Sequence, residues 1–378
     1  MKTGPSRQQF LLDSYLSEKG HEVQVYTLSE SAEQHIGKNI IIRGYRDDIK
    51  FGMLGFSKKM FRDLCRHDYD LIHAHGYRNT MTETAAAVSF LTHRPLVLTS
   101  HGSVSTFHTS GQSLSKKTSK LLYDLITLRF TLRVVTRIVA TTTLEQHEIR
   151  SMGVPSSKVV VIPHGVKVAP FPAVPPRGLP RTYGNRLLCV SRVSKVRNFE
   201  FLLRSFRLVL DEMPDAELIV AGSLKSHDIS MSDSSYPAEI ALLCKELGVA
   251  ERVHFRGELD ERALEIEYAK AAVFVWTSNY DNFGYPLLEA AARRIPIVST
   301  PVGIAPNLVG ENLGGYLVAR DDIEGMAEAI VFLLRNWDAY SRASSYVLSQ
   351  SMKFSLQTMG SAYEALYQTV ASAREARK

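Results

Sequence analysis

The sequence predicts an α/β protein of two doubly wound domains, each a mostly parallel sheet with helices on both faces. Short β-branched runs alternate with longer helical segments along the whole chain, the rhythm of strand–helix–strand units. The chain has 378 residues, more than one domain of roughly 100–200 residues. The strand candidates also fall into two series, with a proline-dense stretch between them.

Near the start stand Thr3-Gly4-Pro5-Ser6, and a helix is expected over 7–19. The first series of strands is expected at 22–27, 70–74, 96–100, 137–141 and 159–162. Gly or Pro follows most of these runs closely and ends them. Pro170, Pro172, Pro175, Pro176 and Pro180 crowd the segment 168–181. Proline lacks the N–H that a strand or helix interior needs, so this segment reads as a stiff linker. The second series is expected at 186–190, 216–221, 253–256, 272–277, 296–299 and 315–318, with a helix over 199–210. The last segment, 356–373, places Met359, Tyr363, Leu366 and Tyr367 at helical spacing.

Composition narrows the function classes. Hydrophobic residues make up 45% and charged residues 22%, ordinary values for a globular chain that buries a core in each half. The net charge of +6 is unevenly spread. Residues 1–184 hold 24 Lys and Arg against 14 Asp and Glu (+10), and residues 185–378 hold 21 against 25 (−4). A basic half suits an anionic partner such as phospholipid or a phosphorylated acceptor, or else is a solvated surface. No recognised nucleic-acid module accompanies it, so no nucleic-acid partner is expected. The segment 115–137 carries Lys116, Lys117, Lys120, Arg129, Arg133 and Arg137 among Leu, Ile and Phe. A basic amphipathic helix can lie on an anionic membrane, but a domain helix with a charged outer face is the preferred reading.

Cys65, Cys189 and Cys244 are far apart and odd in number, which gives neither a metal spacing nor a disulfide framework. Cys189 sits in an apolar run and is expected to be buried. These features fit a reducing compartment. No apolar stretch approaches the ~18 residues that span a bilayer, and no secretory signal is visible. The expected location is cytoplasmic, with the inner face of the cell membrane as a possible contact.

Two open sheets joined by a linker imply a cleft, and ligands of such sheets bind at the carboxyl ends of strands. Two segments stand there. After the strand at 186–190, residues 192–198 carry Arg192, Lys195 and Arg197 just before a helix. Helix N–H groups and dipole favour an anion at that point, whereas cations alone oppose the dipole. Arg holds a diphosphate with two parallel bonds. The plainer reading is a solvated basic turn.

After the strand at 272–277 comes Asp281-Asn282-Phe283-Gly284, with Glu289 eight residues beyond Asp281. Gly284 permits close backbone approach, and carboxylates accept hydrogen bonds from sugar hydroxyls. Asp281 as a helix cap is the bland alternative. Glu289 lies inside the apolar run Leu287–Ala292, where a lone charge is costly.

With these segments in hand, the chain resembles the family 4 glycosyltransferases, the large retaining group with the GT-B fold. In that family an Arg and a Lys five residues later grip the donor diphosphate. Arg192 matches the first and Arg197 the second, with Arg for Lys, and Lys195 is an added neighbour. The family's Glu-x7-Glu element matches Asp281 and Glu289. Glu289 is implied to bind the donor ribose, and Asp281, here for Glu, to face the donor sugar as a catalytic group. The backbone of Asn282, Phe283 and Gly284 matches the sugar-binding turn. Residues 70–76, 98–102, 161–166, 219–222, 253–257 and 300–304 follow the family's order, with His164 where Asn is usual.

By the same resemblance His101 lies near the reacting sugar and is a second catalytic candidate. The implied organisation is an acceptor-side Rossmann-like domain over 1–168 completed by a C-terminal helix at about 355–378, a linker over 169–184, and a donor-binding Rossmann-like domain over 185–354. The family opens with a strand and a Gly-rich loop. Gly4 stands as a remnant of that loop, and the first strand is absent from this sequence.

The implied reaction moves a sugar from a nucleoside-diphosphate sugar to a hydroxyl of a glycan, glycolipid or lipid-linked acceptor, with retention, as a hexosyltransferase-like enzyme. No cofactor or metal is expected. Asp68-Tyr69-Asp70 imitates a metal-binding Asp-x-Asp but precedes a strand and is taken as coincidence. His73 and His75 are expected on opposite faces of their strand, with no shared metal. Two rival readings remain, a GT-B-fold nucleotide-sugar binder without transfer activity and a nucleotide-sugar epimerase of the same architecture.

Overall fold

The computed structural model describes residues 4–29, 33–51, 54–102, 129–166, 184–224 and 235–375. The chain divides into two compact units, Met1–Gly165 with Leu356–Lys378, and Val166–Ser355. The proline-dense stretch 168–181 and residues 115–128 lie outside the described residues.

The first unit starts with the helix Gly4–Glu18, so Gly4 opens a helix where a loop was expected. Pro5 is compatible with that start, because the first helical N–H groups have no intrahelical partner to lose. The strands β1 (Val23–Leu28), β2 (Gln34–Ile36), β3 (Ile40–Tyr45), β4 (Ile49–Phe51), β5 (Leu54–Phe56), β6 (Ile72–His75), β7 (Leu96–Thr99), β8 (Arg137–Ala140) and β9 (Val159–Val161) follow. β6, β7, β8 and β9 form one parallel sheet in that order. β1 pairs in parallel with β3, β2 lies antiparallel to β3, and β4 and β5 form a separate antiparallel pair. Among the described residues β1 and β6 each have one hydrogen-bonded neighbour.

The β6–β9 sheet is buried on both faces, as parallel sheets are. Alternate residues serve alternate faces. Leu96, Leu98 and Ile138 pack with Met60, Ala86 and Ile149 on one side. Val97 and Val139 pack with Leu12, Leu16, Met359 and Tyr363 on the other. The last helix, Leu356–Glu375, thus completes the first unit's core and lies against the first helix, where Tyr15 and Ser361 hydroxyls meet at 3.0 Å.

The second unit holds β10 (Arg186–Val190), β11 (Glu217–Ala221), β12 (Val253–Gly257), β13 (Val273–Trp276), β14 (Ile297–Ser299) and β15 (Gly315–Leu317). All are parallel, in the order β12-β11-β10-β13-β14-β15. The chain starts in the middle, winds outward one way, then returns to wind the other way. The reversal falls between β10 and β13, the crevice where doubly wound sheets bind ligands.

Helix Phe199–Glu212 shows why these residues fold here. Phe199, Leu202, Leu203, Phe206, Val209 and Leu210 recur at helical spacing and are buried. The Asn198 side chain caps the helix by accepting from the Phe201 N–H. Burying each such side chain contributes about 1.5–3 kcal/mol over leaving it in water.

Candidate functional site

The turns that follow β10 and β13 flank the reversal point of the second unit. Their parent strands are neighbours, with Leu187 opposite Val273 and Leu188 opposite Phe274. Hydrogen bonds join the two turns directly. The Asn279 N–H donates to the Val196 carbonyl (2.8 Å), and the Thr277 hydroxyl to the Arg197 carbonyl (3.0 Å). β11 braces the first turn from its other side, through Ser191 N–H to the Ala221 carbonyl and Val193 N–H to the Ser223 carbonyl. That approach needs Gly222, where a Cβ would lie 2.1 Å from the Ser191 carbonyl oxygen.

The three cations of the first turn differ in setting. Arg192 and Lys195 are exposed, and Lys195 Nζ stands 6.0 Å from the centre of the Tyr236 ring. Arg197 is mostly buried. Its guanidinium lies over the Trp276 ring at 4.9 Å and donates to Ser278 Oγ (3.1 Å), to the Tyr280 carbonyl (3.4 Å) and to the carboxylate of Asp281. Arg197 and Asp281, assigned from sequence to diphosphate and sugar separately, therefore face each other. They stand 84 residues apart in the chain, so nothing local in the sequence announces the pairing.

The helix beyond the second turn begins at Tyr285, so Asp281 stands before it and Glu289 within it. Phe283 is only 2% exposed and its ring belongs to the core, while its carbonyl accepts from the Ile304 N–H (2.7 Å). Its own N–H donates to Asp281 Oδ1 (3.2 Å). Gly284 adopts φ +84, which turns the chain into the helix, and Asn282 lies half-buried beside it. Glu289 is buried and accepts from the Tyr268 hydroxyl (2.9 Å) through Oε2.

In the first unit four histidines gather where β6, β7 and β9 end. His73 and His75 were expected on opposite faces of β6. Their ring centres lie 4.1 Å apart, the planes tilted by 40°, because residues two apart in a strand share a face. His75 Nδ1 and His101 Nε2 share a hydrogen bond of 3.0 Å, and the His101 and His164 rings stack at 5.2 Å. The last helix holds the far end, with the Tyr367 hydroxyl 2.6 Å from His73 Nδ1. His101 Nδ1 is buried with no hydrogen-bond partner among the described residues.

Sequence reasoning singled out His101 but missed its clamp. His101 adopts φ +50, a left-handed conformation that costs a non-glycine residue energy. Glu145, fully buried, holds the loop there. Its carboxylate accepts from the Ser100 hydroxyl (2.6 Å), the Gly102 N–H, and the Thr141 N–H and hydroxyl (both 2.7 Å). Among the described residues no group of His, Cys, Asp or Glu is arranged to hold a metal ion.

Burial keeps all four rings neutral. Desolvation lowers His73 to about 3 and His101 to about 4, and holds His75 and His164 well below the ordinary value. Below about pH 6.5 the unfolded chain therefore takes up protons that the folded first unit refuses. Stability from these groups is intact above pH 6.5 and falls as pH drops towards 4, by up to about 1.4 kcal/mol per pH unit for each ring. Burial also raises Asp13 to about 7, which acts in the opposite sense between about pH 4 and 7. Four rings outweigh one carboxyl. Urea unfolding of the first unit is expected at markedly lower midpoints at pH 5 than at pH 7.5, and equal midpoints would contradict the neutral cluster.

Comparisons with known proteins agree with this architecture. Residues 4–169 match the family model described as Glycosyltransferase Family 4, and residues 176–349 the model described as Glycosyl transferases group 1. A D-inositol 3-phosphate glycosyltransferase of Kineococcus radiotolerans is 25% identical over 321 residues, covering 77% of this chain and 71% of that protein. The fold is shared with Anabaena HepE, solved with UDP and glucose, at a TM-score of 0.76 and 18% identity, covering 97% of this chain and 96% of that one. It is also shared with a sucrose-phosphate synthase of Thermosynechococcus elongatus, at a TM-score of 0.75 and 20% identity, covering 98% and 94%.

Proposed function

This chain belongs to the family 4 glycosyltransferases, and from that premise we propose that it moves a glycosyl unit from a nucleoside-diphosphate sugar to an acceptor hydroxyl with retention at the anomeric carbon. One observation carries the reading. A cationic turn and a carboxylate-bearing turn are sewn together at the reversal point of the second unit's sheet, in front of helix Phe199–Glu212.

In this proposal Arg192, Lys195 and Arg197 bind the diphosphate. Glu289 takes the ribose, and Asp281 with the backbone of Asn282, Phe283 and Gly284 takes the sugar. His101 is the first unit's catalytic group. The bond from the anomeric carbon to the diphosphate oxygen breaks, and the acceptor oxygen bonds to that carbon on the same face. The leaving diphosphate takes the acceptor's proton. The cations stabilise the negative charge that grows on it, so the step asks for no carboxylate nucleophile.

The acceptor we propose is anionic or lipid-linked. The +10 charge over residues 1–184 supports it, as does a relative named for D-inositol 3-phosphate. Contact with an anionic membrane at its cytoplasmic face is supported by the exposed row Lys58, Lys59, Arg62 and Arg66 on helix Lys58–Arg66, and by Phe90 and Leu91, about 60% exposed. Among the described residues no helix is long and apolar enough to cross a membrane.

The test is a thermal-shift panel of nucleoside-diphosphate sugars, then product formation with free, phosphorylated and vesicle-borne hydroxyl acceptors. One donor is expected to raise the melting point. It is then expected to give a product of unchanged anomeric configuration, faster on anionic than on zwitterionic vesicles. No shift and no product with any donor would sink the reading, and a new sugar formed without acceptor would indicate an epimerase.

A further inference from the structure

The pairing of Arg197 with Asp281 bears on how tightly the second unit holds an anion. Arg197 is held in place from several sides. The Trp276 ring lies beneath its guanidinium, and Nη1 donates to Ser278 Oγ, the Tyr280 carbonyl and Asp281 Oδ2. Its side chain is 21% exposed and that of Asp281 14%, so the two charges satisfy each other with little help from water. Asp281 is anchored as well, since its other oxygen, Oδ1, accepts the Phe283 N–H.

A phosphate oxygen that needs Arg197 must take over a donor that Asp281 already holds. It must do so beside a carboxylate of its own sign. The guanidinium has no need to swing out, because the aromatic face beneath it fixes its plane. The exchange is one of partners, not of position.

We infer that Asp281 is a built-in competitor at the donor site: it occupies Arg197 until a phosphate oxygen of the ligand displaces it. The inference rests on the donor-site reading above. The repulsion from Asp281 grows with the charge of the incoming anion, so the competition weakens the binding of a diphosphate more than that of a single phosphate. A displaced Asp281 carboxylate is then released towards the turn at 281–284, where the sugar is proposed to bind. Anion binding and sugar contact thus become successive uses of one side chain. Asp281 sets how tightly the diphosphate is held as well as touching the sugar.

The experiment uses anions without base or sugar. Inorganic pyrophosphate and orthophosphate are titrated into the whole chain and into two variants, Asp281→Asn and Asp281→Glu. Asn keeps the shape of Asp and removes its charge, and the thermal midpoint of each variant confirms that it is folded. Asp281→Asn is expected to bind pyrophosphate about tenfold more tightly than the parent, while sugar transfer falls. Orthophosphate, which carries less charge, is expected to gain less. Asp281→Glu, which keeps the competing charge, is expected to stay within about threefold of the parent. Unchanged or weaker pyrophosphate binding in Asp281→Asn would overturn the competition, and so would an equal gain in Asp281→Glu. Arg192→Ala separates this from a failure of the site itself. If the parent binds no pyrophosphate, or binds it as well after Arg192→Ala, the donor-site reading fails and the competition with it.

Discussion

Arg192→Ala is expected to lower sugar transfer by about fifty-fold or more and to leave the fold intact. The side chain is exposed and contributes nothing to the core of the second unit. The turn that carries it is held by backbone contacts to β11, which the substitution does not touch. The loss therefore falls on charge stabilisation. A guanidinium aimed at the leaving diphosphate acts most when charge has moved onto that group, and removing one preorganised donor of this kind typically costs about 10²–10³ in rate. Lys at this position keeps the charge but loses the two-pronged geometry, so Arg192→Lys is expected to recover only part of the loss. Steady-state kinetics beside a thermal melt checks both statements. An alanine variant that transfers sugar at the parent rate would remove the main support for the assignment.

Glu145→Ala is expected to show the largest loss of stability. The carboxylate is fully buried and accepts four hydrogen bonds, from Ser100, Gly102 and Thr141. Deleting it strands these donors away from water and opens a void, for a cost of about 3–5 kcal/mol. The melting point of the first unit is expected to fall by about 10 °C. Glu145→Gln keeps the volume but turns an amide NH2 towards donors that need an acceptor, so it is expected to lie between. A functional effect accompanies the structural one. Glu145 holds Ser100 and Gly102 on either side of His101, and relaxing that loop releases His101 from its left-handed conformation. In Glu145→Gln, turnover is expected to drop while pyrophosphate affinity in the second unit stays at the parent value. A variant that unfolds with the parent's urea profile would contradict the clamp.

The strand framework was legible because its signals are local. Runs such as Leu187-Leu188-Cys189 and Val273-Phe274-Val275 are continuously apolar, as strands buried on both faces must be, and turn residues end them. The two turns of the proposed donor site were legible for the same reason, since each follows such a run. β2 to β5 went unread, although Ile40-Ile41-Ile42 in β3 carries a clear β-branched signal. Gly4 was placed in a loop because the resemblance aligned it with the family's Gly-rich loop, yet Gly and Pro are both tolerated where a helix begins, and one begins there.

What the sequence hid is long-range pairing. The Arg197–Asp281 ion pair joins two segments that adjacent strands bring together, and each residue alone reads equally well as a ligand. Glu145 lies on the short helix Thr143–Ser151, where a Glu in the first turn is ordinary. Its role emerges only when β7 and β8 deliver their ends to it. The histidine stack draws on β6, β7, the segment after β9 and the last helix, and its first two members were assigned to opposite faces through a misjudged strand period.

The central claim is that the guanidinium of Arg192 meets a pyrophosphate at the turn after β10. A crystal structure of the whole chain with its nucleoside diphosphate measures this directly. Diphosphate oxygens are expected within hydrogen-bonding distance of Arg192, in front of the first turn of helix Phe199–Glu212. A nucleotide seated elsewhere, with Arg192 turned away from its phosphates, would contradict it.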